Sequence, residues 1–260
     1  MSSTLFVDHY QRRTVGWAGA LPPLARGATW RGLREGDVIS AMAAPILFFI
    51  CFHVPLNESM PEYANFLVPT VIMQAVMFTA ILAAQNAGRD VSGAVQDRLM
   101  TLPIPRMAPA VARLIAMVVR TTLAIFAAFF VATLFGFRFR GDALDAVALF
   151  LLPLLFAVGV SMLTDALGQA VPEPDSVGQV LMVPQMLLVM MSVGIVPEAG
   201  FPEWIQPLVR NQPLSQMIIA MRGWIEGTDV NLTPVVLWLI GLFVAGIAAL
   251  YAASHREARR

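Results

Sequence analysis

Lysine is missing from this chain; all 17 of its Lys/Arg positions are arginine. A phosphate-cradling Gly-x-x-x-x-Gly-Lys-Ser/Thr loop is therefore impossible, and any ATP hydrolysis the protein depends on must come from another polypeptide. Each surface arginine could chemically have been a lysine, so the bias points to a GC-rich bacterial genome rather than to mechanism. Cysteine is nearly absent. Cys51 stands alone inside an apolar run, which rules out an intramolecular disulfide. Histidine occurs only at positions 9, 53 and 255, too scattered for a metal site. Gly159-Val160-Ser161-Met162 loosely resembles the Gly-x-Ser-x of intramembrane proteases, but a serine nucleophile needs a base within hydrogen-bond reach. His53 is expected at the other membrane face, so Ser161 reads as a small packing residue. No catalytic residue, no metal site and no acidic cluster of the lipid-phosphotransferase type is expected. Charge is scarce, at 13% of residues and zero net, which argues against a nucleic-acid partner. The first 37 residues hold no apolar core of signal-peptide length, so the N-terminus is expected to be retained.

What remains is grease. Hydrophobic residues make up 58% of the chain and the mean hydropathy is +0.71, more apolar surface than a soluble protein of this size can cover. A spanning helix needs about 20 apolar residues, and six stretches qualify: 38–54, 66–84, 121–137, 143–163, 180–196 and 234–253. Without an alternating barrel pattern these are helices, giving an all-α integral membrane protein of one domain after a tail at 1–23. Arginine placement orients it. With the N-terminus in the cytoplasm, the inner segments carry Arg12, Arg13, Arg26, Arg31, Arg34, Arg89, Arg98, Arg106, Arg113, Arg120, Arg256, Arg259 and Arg260. The outer ones carry only Arg138, Arg140, Arg210 and Arg222. Both termini are therefore expected in the cytoplasm of a multi-pass plasma-membrane protein, with Arg138 and Arg140 running against the rule.

Three segments are neither spans nor plain loops. Residues 24–37 set Trp30 and Leu33 beside Arg26, Arg31 and Arg34, a mix suited to a helix lying in the membrane interface. Residues 88–102 form a short charged helix. Val91, Val95 and Leu99 make one apolar stripe, while Asp90 and Asp97, seven apart, share a polar face flanked by Arg89 and Arg98. The bland reading is an amphipathic helix resting on the membrane; the functional one is a lever that inserts into a partner protein. Residues 197–229 are too polar to span and too apolar for a free loop. They read as one or two short helices dipping into the outer leaflet, anchored by Phe201, Trp204, Ile205 and Trp224. Polar residues at membrane depth are few, chiefly Gln74, Thr79, Gln85, Thr133 and Gln185. No carboxylate chain is placed to carry protons, and a pathway so poor in charge suits an amphipathic or lipid cargo. A weak pathway is read at Gln74, Phe78, Gln185 and Met186.

This order of elements resembles the ABC-2 class of ATP-binding-cassette exporter permeases (the type V exporter fold), from about Leu24 onward. The most specific piece is Phe201–Gly223, which looks like an outer signature of Pro-x-Trp, Asn-x-Pro and an alanine-arginine end, at Pro202, Trp204, Asn211, Pro213, Ala220 and Arg222. Gly136-Phe137-Arg138-Phe139-Arg140 and Asn211-Gln212-Pro213 look closest to the daunorubicin-resistance type, particularly the B subunit of actinobacteria. The resemblance implies that the interfacial helix (Trp30, Arg31, Arg34, Glu35) and the loop or coupling helix (Arg89, Asp90, Gln96, Asp97, Arg98) grip a separate ATPase subunit. That subunit would be present in two copies and would carry the ATP and Mg, with no cofactor on this chain. Asp97-Arg98 stands where the family often has Glu-Arg. Phe201, Pro202, Trp204, Asn211, Pro213 and Arg222 would form an outer gate. A second permease, more readily a related chain than a copy, would complete the pore. Members of the subfamily are associated with anthracycline efflux, and so with antibiotic resistance, or with export of polyketide-derived lipids such as phthiocerol dimycocerosates. The rival reading is a non-transporting scaffold for a lipid-synthesis complex.

Overall fold

The computed structural model describes residues 16–34, 36–56, 63–92, 104–105, 107–171 and 174–257. Regular structure among them is helical throughout, as a lipid-embedded chain must be when each segment satisfies its own backbone groups. Helix α1 (Trp17–Arg34) leads to α2 (Asp37–Leu56), α3 (Tyr63–Ser92), α4 (Ala108–Leu134), α5 (Ala143–Ala170) and α6 (Pro174–Met190). A 3-10 turn at Glu198–Gly200, α7 (Gln206–Asn211) and α8 (Pro213–Glu226) precede α9 (Thr233–Glu257).

Helix α3 is the axis of the bundle. At 30 residues it is about 45 Å long, and it packs against α2, α4, α5, α6 and α8. Of its most apolar stretch 78% is buried inside the fold, against 17% for α9, which lies on the outer side of α5. Leu67, Ile72, Met73, Ala75 and Val76 are sealed from solvent in its middle turns. Small residues set the closest approaches. A Cβ on Gly168 of α5 would sit 2.1 Å from the Ala84 carbonyl oxygen of α3, and one on Gly246 of α9 would sit 2.7 Å from Met162 Cβ. Lipid offers no hydrophobic drive to pair helices, so such close approach is what holds them together. Ser161, read above as a packing residue, is fully buried on α5.

Several boundaries differ from those expected. The 66–84 span runs on to Ser92, so Gly88–Ser92 is the last turn of α3 rather than the start of a separate helix; residues 93–102 lie outside the described residues. The 121–137 span already begins at Ala108, with Pro109 in its first turn where a missing N–H costs nothing. Arg113 and Arg120 thereby fall inside a helix. The 143–163 span continues to Ala170 and takes in Asp165. The interfacial helix covers Trp17–Arg34, not 24–37, and carries Pro22 and Pro23 within it, so part of the supposed tail is helical. The 180–196 span breaks at Met190, and the chain turns through Ser192–Gly194.

Among the described residues four helices can cross a bilayer by length and hydropathy: α3, α4, α5 and α9. Counting α1 with α2 as one span bent by 64° makes five, with Gly36 at the bend supplying a positive φ of 79°. A sixth span is not confirmed by this measure, the apolar helix Ser176–Met190 being short.

Candidate functional site

The helices alternate in direction, so the C-terminal turns of α3 and α5 meet the N-terminal turns of α4, and α1 packs alongside α4. Buried charge gathers at this end. Arg113 Nε and Nη2 donate to the two carboxylate oxygens of Asp165 at 2.7 and 2.8 Å, a bidentate pair. Gln169, one turn on, donates to the same carboxylate at 2.6 Å. Arg113 Nη1 also lies 3.7 Å from Asp90 Oδ2, while the other oxygen of Asp90 accepts a short hydrogen bond from Arg31 on α1. The result is a chain, Arg31–Asp90–Arg113–Asp165, that crosses four helices with two charges of each sign. Desolvating a lone Asp165, which is 1% exposed, would be prohibitive; the fork of Arg113 makes it tolerable. Beside the chain lies a cavity of about 20 Å³ lined by Arg31, Asn86, Asp90, Arg113 and Arg120 among others, enough for one water molecule.

The opposite end is held by one cation reading backbone. Arg222 of α8 donates to the carbonyls of Phe66 (3.1 and 3.0 Å), Val193 (2.8 Å) and Gly194 (2.9 Å). Its guanidinium lies 3.6 Å over the Phe66 ring centroid. Burial draws its pKa down to about 10, opposed by Glu226 and Tyr63, so it remains cationic at neutral pH. The carbonyls of residues 193 and 194 are available because α6 has ended. Thr70 also donates to Gly194 O at 2.9 Å, and Gln212 donates to Met191 O at 2.6 Å and to Leu188 O at 3.2 Å. Arg138 and Arg140 belong to this end as well. Phe137 and Phe139 pack on the core while the alternating arginines point outward. Asn65 donates to Arg138 O and accepts from Arg138 N, at 3.0 and 2.9 Å.

The structure sorts the residues named from sequence. Trp30 and Arg34 are exposed on α1, with the guanidinium 6.0 Å from the Trp30 ring centroid. Arg31, however, reaches inward, and Asp90 is buried between two arginines, not displayed on a polar face. Arg89 is exposed. Glu35, Gln96, Asp97 and Arg98 lie outside the described residues. At the far end Pro202, Trp204 and Asn211 are exposed, Trp204 by 80%. Phe201 packs against the core, and Pro213 opens α8. Asn211 O accepts from Trp238 Nε1 of α9 at 2.9 Å. Trp224, expected as a membrane anchor, is instead buried, because that face of α8 joins the bundle core. Gln74 and Phe78 are half-buried on α3; Gln185 is buried on α6 with Met186 turned outward. The carbonyl oxygens of Gln74 and Gln185 accept no hydrogen bond. Sequence reading missed Asp165. Its signal was a carboxylate deep in an apolar helix and, across a hairpin, arginines on α4 to meet it.

A helix bundle of membrane-crossing length, apolar in its middle and tied by polar groups at both ends, defines a multi-pass integral membrane protein. The chain belongs to the ABC-2 family of transporter proteins, whose family profile matches residues 42–252, and it is thus a membrane transport component. It is 30% identical over 261 aligned positions to the daunorubicin resistance ABC transporter permease protein DrrB1 of Streptomyces coeruleorubidus, covering 93% of this chain and 90% of the relative. To the doxorubicin resistance ABC transporter permease protein DrrB of Mycobacterium tuberculosis it is 28% identical, over 90% and 88% of the two chains. A probable doxorubicin resistance ABC transporter permease protein from the same organism, DrrC, is 27% identical, over 80% and 77%.

Proposed function

We propose that this chain is the permease subunit of an ATP-driven exporter that moves a hydrophobic drug, or a polyketide-derived envelope lipid, outward across the plasma membrane. The observation that carries the reading is the similarity, across nine-tenths of the chain, to a permease named for daunorubicin resistance. ATP and Mg would sit on a separate ATPase subunit, two copies per transporter, since a chain without lysine cannot build the phosphate loop. The exposed face of α1, with Trp30 and Arg34, would grip that subunit together with the segment that follows Ser92, where Asp97 and Arg98 are the leading candidates. Two related permeases would form the pore, both termini in the cytoplasm, with the residue 197–229 region over the outer mouth. Gln74 and Gln185, whose buried carbonyl oxygens accept no hydrogen bond, would be the polar groups nearest the cargo pathway.

The test is purification of the tagged chain in mild detergent with mass spectrometry of its companions, followed by doxorubicin uptake into inverted vesicles. An ATP-binding subunit at one per permease, with ATP-dependent uptake, is the expected outcome. A chain isolated alone, or only with lipid-synthesis enzymes, overturns it.

A further inference from the structure

We infer that Asp90 is the junction through which movement of the ATPase enters the helix bundle, and that the Asp90–Arg113–Asp165 chain passes it to α5. The inference rests on the ATP-driven reading above and deepens it. Asp90 lies in the last described turn of α3, within the coupling helix expected at 88–102. The same carboxylate holds Arg31 on α1, the helix whose outer face carries Trp30 and Arg34. Both elements expected to touch the ATPase therefore converge on one side chain.

From there the connection runs inward along a gradient of burial. The side chain of Arg31 is 43% exposed, that of Asp90 12%, that of Arg113 10% and that of Asp165 1%. Apolar helix faces carry no directional bond between them. A bidentate ion pair out of water does, and its attraction falls off steeply when the fork is broken. Gln169 fixes the far carboxylate from its own helix. Helix α5 in turn meets α3 at Gly168 and packs against α8 and α9, so a shift of Asp165 reaches the end of the molecule held by Arg222. These are positioning residues; none is placed against cargo.

The test separates transmission from folding. Replacing both buried partners with apolar side chains, Arg113→Met with Asp165→Leu, removes the link without stranding a charge, and such replacements are commonly tolerated. A second variant, Arg31→Met, alters the more exposed entry and leaves Arg113 facing Asp90. Complexes are assembled with the partner subunits in inverted vesicles, and doxorubicin uptake and ATP hydrolysis are measured together. Both variants are expected to assemble and hydrolyse ATP normally. Drug moved per ATP should fall about tenfold for the buried pair, within the usual range of coupling between sites, and less for Arg31→Met. Normal uptake per ATP in the variants overturns the inference while leaving the exporter reading intact. No ATP-dependent uptake of either doxorubicin or an envelope lipid by vesicles holding the unmodified chain overturns both. If the buried pair does not assemble, Arg31→Met decides alone, and unchanged uptake per ATP there overturns the inference.

Discussion

At Arg222 a single guanidinium takes over the work of a helix cap. The carbonyls of Val193 and Gly194 come after α6 has ended and cannot be left dry without cost, while the bonds to Phe66 O tie α8 to the first turn of α3. Lysine could not reproduce the arrangement, since four donated bonds and a stacked planar face exceed what an ammonium offers. Arg222→Lys is expected to destabilise the protein by roughly 3 kcal/mol, the scale of one or two lost charged hydrogen bonds. Thermal unfolding followed by tryptophan fluorescence, with Trp224 two residues away as the reporter, measures it; an unchanged midpoint would refute the clamp. Sequence marked Arg222 as part of a signature but not what it does, because an interaction that reads backbone leaves no complementary side chain to recognise. Asp90 shows a different limit. Its spacing from Val91, Val95 and Leu99 sets an expected polar face apart from an apolar one, yet periodicity does not say whether water or arginine waits opposite. Asp165 was lost because the apolar run was cut two residues before it, where a charge usually ends a span.

Among the elements, the α3–α5 crossing is the least forgiving. At Gly168 an added methyl would press on the Ala84 carbonyl, a backbone atom that cannot rotate away. Gly168→Ala is expected to cost about 1–3 kcal/mol, despite the gain alanine brings to a helix. Gly27 in α1 is the control: nothing lies within 4 Å of its would-be Cβ, so Gly27→Ala is expected to stabilise by about 0.5–1 kcal/mol. Thermal shift of the two variants side by side checks both signs, and equal responses would refute the close crossing. The helices themselves were legible, because long apolar runs have one solution in lipid. Their ends were not. Proline is tolerated within α1 and at the start of α4, whereas the end of α6 at Met190 has no proline to announce it and is held by Gln212 and Arg222 from far along the chain.

For the whole molecule the firmest expectation is orientation, resting on thirteen arginines assigned to one side and four to the other. Fluorescent-protein fusions at either terminus should glow and alkaline phosphatase fusions should stay silent; an active phosphatase at either end would refute a cytoplasmic placement. The charge chain also bears on how such a molecule is made. Helix α4 leaves the ribosome carrying Arg113 and Arg120 and no acidic residue, and the carboxylate that neutralises Arg113 is synthesised 52 positions later, near the end of α5. A translocon receiving α4 alone would release into lipid a helix with unmatched positive charge. Asp90 of α3 is already made when α4 emerges and lies 3.7 Å from Arg113, but the bidentate partner comes last, so order of birth favours entry of α4 and α5 together, as a hairpin.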